Sequence, residues 1–383
     1  MFHSTRAVLL ATVFALAPTG AALADPAPIR IGVTLSTTGP ASALGIPQKN
    51  TLDLVAKEIA GRPVEVVVLD DGGDAGAATT NARRFVTEDK VDVLIGSSAT
   101  GGALAVAGVA QEAETPLFVL SPIPFAPGRE KWTFSLPQPA PLMARGLFED
   151  MKKRGVKTVG LIAFNDGWGD LWAKELKTQG EALGLTTVAD ERYARPDTSV
   201  IGQALKILAA KPDAVLVGGS GTAAALPAMT LRERGYAGRI YQTHGAVTRD
   251  FIRIAGKAAE GQVFVSGPVV IAARLPEANP TRPAGLAYTT AYEAKFGKGS
   301  VTLFGASIWD AFEILKQTIP EATKSAEPGT PAFRDALRKA LENGKGFAGA
   351  QAVYTYTPSD HYGIDERGRI LITVKNGDWA PLD

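Results

Sequence analysis

Short apolar runs alternate with stretches in which apolar residues recur every three or four positions, and the two kinds of segment take turns along most of the chain. Ile29 to Ser36 reads as a strand that ends in the turn Thr37-Thr-Gly-Pro40. Across 45–60, Leu52, Leu54, Val55 and Ile59 fall at helical spacing. Pro63 to Leu69 predicts the next strand, closed by Asp70-Asp-Gly-Gly-Asp74, and 75–88 a helix with Ala78, Ala82, Phe85 and Val86 inward. Val93 to Ile95 predicts a buried strand, Gly96 to Gly102 a loop of small residues, then a helix, then a strand from Leu117 to Leu120. This β-α-β-α-β-α-β order implies a parallel sheet with right-handed crossovers.

Trp132 to Leu136 predicts one more short strand, and Pro137, Pro139 and Pro141 then mark a crossover between lobes. A second alternating set follows: helices over 141–154, 168–183, 199–210 and 222–235, and strands over 158–164, 187–193, 213–218 and 239–243, with Val263 to Ser266 as a further strand. After a proline-rich loop come helices over 284–296, 301–318 and 331–343 with no strands between them. They cannot extend the second sheet, so they are expected to pack back on the first lobe. The tail from Gln351 to Trp379 is β-rich and is expected to join the second. The fold class is therefore α/β, with two doubly wound parallel-sheet lobes joined by a hinge of several crossings. The lobes are 25–138 plus 268–349 and 139–267 plus 350–383, with a cleft between them.

Composition changes this picture at one end only. The 383 residues are 45% hydrophobic and 21% charged, with 40 basic against 39 acidic side chains and no basic run. That balance argues against nucleic acid or an anionic membrane surface as a partner. Residues 1–24 form a signal peptide: Arg6 is the positive region, Ala7 to Ala17 the apolar core, and Ala22-Leu-Ala24 the cleavage site before Asp25. The apolar run is too short for a transmembrane helix, so a secreted, periplasmic protein is expected. There is no cysteine, hence no disulfide and no lipid anchor on cysteine.

Candidate chemistry is sparse. Asp70, Asp71 and Asp74 read as a turn and an N-cap before a metal site. Gly219-Ser-Gly-Thr-Ala-Ala224 matches a dinucleotide fingerprint, but the acidic residue due about 20 positions on is replaced by Tyr241-Gln-Thr-His244. No cofactor is expected. Beyond residue 24 the histidines are His244 and His361, too few for a zinc cage. There is no G-x-S-x-G, and no metal or nucleophile site is expected; His361 reads as part of a polar turn. The Gly96 to Gly102 loop is different. A helix start offers free backbone N–H groups, and with hydroxyls beside them it seats an anion. Ser98, Thr100 and Gly101 therefore form a candidate carboxylate seat, and Ser121 ends the neighbouring strand in Ser121-Pro-Ile-Pro-Phe125. Ligands of open α/β sheets bind in such a crevice. Trp168, between glycines in Asp166-Gly-Trp-Gly169, suits stacking on a flat ligand.

The order of signal peptide, IRIGVTLSTTGP, VLDDGGDAG, VLIGSSATGGALAVAGVAQEAETP, a second lobe and return helices resembles the periplasmic solute-binding proteins of ABC importers, in the branched-chain amino-acid (Leu/Ile/Val-binding) family. The resemblance covers 29–379. It implies a monomer that closes on a small ligand and docks on permease subunits. It further implies that Thr100, by its hydroxyl, and Ile123, by its backbone, hold the ligand carboxylate. Leu44 stands where an aromatic residue commonly covers the ligand, Trp168 matches the second lobe's aromatic, and Ser220 replaces a tyrosine. His244 stands where amino-acid binders carry the glutamate that pairs with the ligand ammonium, and Phe125 where they carry a second carboxylate-binding threonine. Burying an ammonium without a counter-charge costs several kcal/mol. The expected ligand is therefore a plain carboxylate, an aromatic acid such as a benzoate, hydroxybenzoate or phenylpropenoid. The same family includes binders of aromatic acids. A branched-chain amino acid or aliphatic acid is the alternative, and a sensor ectodomain the alternative class.

Overall fold

The computed structural model describes residues 1–2, 26–125 and 130–382; the expected signal peptide lies almost wholly outside the described residues. In chain order the first lobe contains β1 (Ile29–Leu35), α1 (Ser42–Thr51), β2 (Glu58–Ile59), β3 (Arg62–Asp70), α2 (Ala75–Thr87), β4 (Val93–Ile95), α3 (Thr100–Glu112), β5 (Leu117–Val119) and β6 (Thr133–Ser135). Its sheet runs β2-β3-β1-β4-β5-β6, parallel except for β2 at the edge. The second lobe contains α4 (Ala140–Lys153), β7 (Thr158–Phe164), α5 (Gly167–Glu175), β8 (Thr186–Tyr193), α6 (Ile201–Ala209), β9 (Ala214–Gly218), α7 (Ala225–Glu233), β10 (Arg239–Gln242), α8 (Arg249–Ala255) and β11 (Val263–Ser266). The chain returns through α9 (Arg282–Phe296), α10 (Leu303–Ala322), α11 (Pro331–Glu342), β12 (Phe347–Ala348) and β13 (Val353–Tyr354). It finishes with β14 (Ile370–Lys375) and β15 (Asp378–Pro381), which extend the second sheet antiparallel in the order β15-β14-β11-β10-β9-β7-β8. Each sheet is thus mixed at an edge and parallel inside. The inner strands β4, β5, β9 and β11 are buried at every residue, as strands covered on both faces must be.

Several boundaries differ from the sequence expectation for local reasons. The helix expected over 45–60 stops at Thr51, because Ala60 and Gly61, both at positive φ, turn the chain into the β2–β3 hairpin. Leu52, Val55 and Ile59 still face the core beside α10 residues Ile308, Ile314 and Leu315. A single helix over 168–183 becomes α5 followed by a π turn, Leu176–Gly180. Helix α8 was not foreseen; Thr248 caps it by accepting a hydrogen bond from Phe251 N at 3.0 Å. Of the three return helices, α10 and α11 pack on the first lobe, where Phe312, Phe333 and Leu337 share a core with Ile31, Val33 and Phe134, and α9 reaches α1 through Tyr288, whose hydroxyl lies 3.0 Å from that of Thr51.

The lobe boundary placed at 350 moves. Tyr354 and Tyr356 sit in the first lobe's core, with their hydroxyls donating to the Leu136 and Ser135 carbonyls at 3.1 and 2.7 Å. The chain therefore stays with the first lobe to about Ile364 and joins the second only through β14. At the hinge, Gln138 of the first crossing donates to the Gln351 carbonyl at 3.1 Å. Gly267 of the second lies so close to both glutamine side chains that a Cβ there would collide with each. Among the described residues no helix is long and apolar enough to cross a membrane.

Candidate functional site

The C-terminal ends of β1, β4 and β5 in one lobe and of β7, β8, β9 and β10 in the other meet across a narrow interlobe cavity of about 20 Å³. The lobes are drawn together around it: Ala41, Leu44 and Ala99 of the first share one apolar cluster with Ala224, Ala225 and Val247 of the second.

On the first lobe the loop after β4 is pinned from below. The buried Asp71 carboxylate accepts from the hydroxyls of Thr34, Ser36 and Ser97 at 2.9, 2.6 and 2.7 Å, and from Gly73 N at 2.9 Å. Asp74 caps α2 by accepting from Ala77 N at 2.7 Å. The aspartates expected to form a turn and a cap do so, and among the described residues no group of three or more His, Asp and Glu is placed to hold a metal. The loop so fixed presents the start of α3, whose N-cap, Ala99, offers no side-chain acceptor. The first N–H groups of this 13-residue helix therefore have no side-chain cap. The Thr100 and Ser121 hydroxyls lie 2.9 Å apart in the wall. Ser98 also lines it, but its hydroxyl is engaged, donating to Gln48 Oε1 at 2.5 Å and accepting from Ser36 N at 3.0 Å.

On the second lobe Asp166 organises the wall. Its Oδ1 caps α5 by accepting from Trp168 N and Gly169 N at 2.9 and 3.2 Å, and its Oδ2 accepts from Arg195 Nε at 2.6 Å. Arg195 Nη1 donates to Ser220 Oγ at 2.8 Å, and the guanidinium lies 4.3 Å over the Phe164 ring. Trp168 is sealed, its Nε1 donating to the Gly219 carbonyl at 3.0 Å. Next to it is His244, 2% exposed, with Trp168 and Trp172 at 5.0 and 6.0 Å between ring centres and no hydrogen-bond partner at either nitrogen. Burial pushes the imidazole pKa down to about 3, so the ring is neutral.

Of the ten residues singled out in the sequence, Leu44, Ser98, Thr100, Ser121, Trp168, Ser220 and His244 line this cavity. Three do not. Gly101 is exposed at the first turn of α3, outside the lining. Ile123 and Phe125 face a separate surface groove, with Leu104 and Gln111 of α3. Tyr362 holds them there: its hydroxyl accepts from Phe125 N at 3.0 Å and donates to the Ile123 carbonyl at 2.9 Å, and its ring stacks on Phe125 at 4.2 Å. The expectation that Phe125 takes the place of a carboxylate-binding threonine in the cleft, and that Ile123 seats the carboxylate by its backbone, is corrected accordingly. The aromatic wall comes from Trp168 and from Phe304 at the start of α10. His361, read as part of a polar turn, is buried in the first lobe.

The residue missed was Arg195. Among the described residues it is the one charged side chain in the cavity lining, and no Asp or Glu lines it. It lies two residues past the end of β8, so the rule that placed the other site residues at strand ends would have found it.

Residues 28–371 match the family described as periplasmic binding protein. A Leu/Ile/Val-binding protein homolog 3 of Brucella melitensis is 26% identical over 365 residues, 91% of this chain and 92% of that one. An extracellular ligand-binding receptor from Rhodopseudomonas palustris is 54% identical with a TM-score of 0.92, covering 94% of this chain and 100% of its own. Another from strain HaA2 is 56% identical with a TM-score of 0.91, covering 93% and 99%.

Proposed function

Because the chain belongs to the periplasmic binding protein family, whose members hold small molecules and work with ABC permeases, we propose that it captures a small carboxylate, an aromatic acid such as a benzoate, hydroxybenzoate or phenylpropenoid, in the periplasm. The observation that carries this reading is the charge of the cavity lining: among the described residues Arg195, ion-paired with Asp166 just outside the lining, is its one charged side chain, and no Asp or Glu lines it. An anion gains the Arg195 donors left over from Asp166 and Ser220, the Thr100 and Ser121 hydroxyls and the N-terminus of α3, which has no side-chain cap. An α-amino acid would bring an ammonium with no partner in the wall, at a cost of several kcal/mol. Trp168 and Phe304 supply flat apolar surface for a ring.

Closure follows from the distribution of these groups. Thr100 and Ser121 belong to one lobe and Arg195, Trp168 and His244 to the other, so the ligand touches all of them only when the lobes are together, and binding favours that state. The closed pair of faces is then the form offered to a membrane permease. Leu44, Leu120 and Leu303 in the same wall support a second reading, a branched aliphatic acid. A thermal-shift and calorimetry series separates them. Benzoate, 4-hydroxybenzoate or cinnamate should stabilise the protein with a Kd near ~1 μM, about −8 kcal/mol. Stabilisation by leucine, with none by any aromatic acid, would overturn the proposal.

A further inference from the structure

The cavity holds one polar group that a carboxylate does not need. Among the described residues lining it, His244 is the one with buried nitrogens that lack a hydrogen-bond partner, and it lacks them at both. Of the neighbouring polar groups, the Thr243 hydroxyl and the Trp168 Nε1 both donate to the Gly219 carbonyl, at 2.7 and 3.0 Å, and the Trp172 Nε1, buried and likewise without a partner, lies outside the cavity lining. Nor can the ring readily turn elsewhere, since Trp168 and Trp172 flank it. Its backbone is fixed too. A Cβ at Gly245 would lie 2.6 Å from Ser220 Cβ and 2.8 Å from the Trp168 ring, and Ala246 N and Val247 N close the turn on the Thr243 and His244 carbonyls at 3.1 and 3.2 Å. Buried polar groups in native proteins almost always have partners. An imidazole held in place by the fold, sealed, and unsatisfied at a cavity wall is placed for a partner that arrives from the cavity.

The chemistry of that partner is constrained. A neutral imidazole offers one N–H donor and one acceptor lone pair. A second carboxylate would lie where no cation remains, since among the described residues Arg195 is the one charged side chain in the lining, and an ammonium would lack a counter-ion. A hydroxyl or carbonyl oxygen can pair with a neutral ring without burying a second charge. We infer that His244 is a specificity-determining residue that hydrogen-bonds a neutral oxygen substituent of the ligand, a hydroxyl or carbonyl group separate from its carboxylate. The ligand class is then an oxygen-substituted acid, such as a hydroxyaryl carboxylate, in preference to its unsubstituted parent. This rests on the carboxylate-binding reading above.

The test is a ratio. Calorimetry on the full chain compares matched acids: 4-hydroxybenzoate and 3-hydroxybenzoate against benzoate, and 4-hydroxycinnamate against cinnamate. At least one hydroxylated acid should bind about tenfold more tightly than its parent, the scale of one well-made hydrogen bond. In H244F that ratio should collapse to about one, and in H244Q, which retains a donor and an acceptor, part of it should survive. Thermal melts of both variants establish that they are folded. Equal affinities within every pair in the wild type, or a preference that persists in H244F, would overturn the inference while leaving carboxylate binding intact. Binding of leucine with no affinity for any of the five acids would instead remove the reading beneath it.

Discussion

Among the described residues two histidines are sealed, one at the cleft and one at the far edge of the first lobe, and their surroundings differ at each nitrogen. His361 is 1% exposed and stacks on Phe134 at 4.2 Å. Its Nδ1 donates to the Glu130 and Thr133 carbonyls at 2.7 and 3.1 Å, and its Nε2 lies 3.2 Å from the Glu342 carboxylate. It joins β6, α11 and the 355–363 loop by its own bonds. His244 is as deeply buried and makes none. Burial alone therefore does not single out a polar residue with something to offer a ligand; an unused donor or acceptor in the cavity wall does. A group whose donors and acceptors are used up by the fold has nothing to offer a ligand. The same distinction holds between Ser98, engaged by Gln48 and Ser36, and Thr100, whose hydroxyl meets the Ser121 hydroxyl beside it in the wall.

The most forceful way to break this contrast is to remove His361. H361A deletes a stacked ring and removes the Nδ1 donor that the Glu130 and Thr133 carbonyls share, mechanisms that together cost about 3–5 kcal/mol. Urea denaturation should show that loss, while calorimetry on the folded variant should show the ligand bound as before. A loss below ~1 kcal/mol would mean that His361 is no more essential to the fold than an orphaned ring.

Within the cleft, Arg195 should matter most. R195M keeps the stem but removes the cation, and it leaves the Asp166 carboxylate uncompensated beside an incoming anion. Truncating one member of such a charge pair costs about 2–5 kcal/mol in binding. An affinity loss of about 3–4 kcal/mol by calorimetry is expected, and an unchanged Kd would remove Arg195 from the anion seat. T100V should cost less, about 1–3 kcal/mol, the scale of one hydrogen bond to a charged group. Both variants should melt near the wild-type temperature, in contrast to H361A.

That Arg195 went unread shows which features the sequence exposes. The alternation of buried strands and amphipathic helices is local, and it carried the two lobes, the strandless return helices and the strand-end positions of Thr100, Ser121, Trp168 and His244. Arg195 sits in the polar loop Ala194-Arg-Pro-Asp197 and acquires its role from Asp166 and Ser220, 29 and 25 residues away. Phe125 failed for the converse reason. It lies at a strand end, as a cleft residue should, but a tyrosine 237 residues later draws it onto the other side of the lobe. The stretch around His361 looks like a loop in composition, Ser359-Asp-His-Tyr-Gly363, and only its contacts with β6 and α11 make it part of a core. In each case a partner distant in sequence decided the outcome, and no periodicity reports such partners.

The smallest effect tests the orphaned state of His244 itself, through pH. Its folded pKa, about 3, lies below the unfolded value of about 6.5. Above pH 6.5 the ring is neutral in both states and the full stability is present. As pH falls below 6.5 the unfolded chain takes up a proton that the folded chain refuses, so stability declines toward pH 3. Asp310 works in the opposite sense. Desolvation raises its carboxyl to about 7 despite hydrogen bonds from Ala350 N, Gln351 N and the Tyr354 hydroxyl. Its contribution is complete below the unfolded pKa and is lost as pH rises through 7. Because Asp310 is present in both proteins, the difference between wild type and H244F isolates the histidine. Denaturation at pH 7 and pH 5.5 should show the wild type losing about 1 kcal/mol more than H244F. Parallel behaviour would mean that the imidazole takes up its proton in the folded state at its ordinary pKa. That requires a partner or water at a nitrogen, and with one there His244 would belong in the same class as His361.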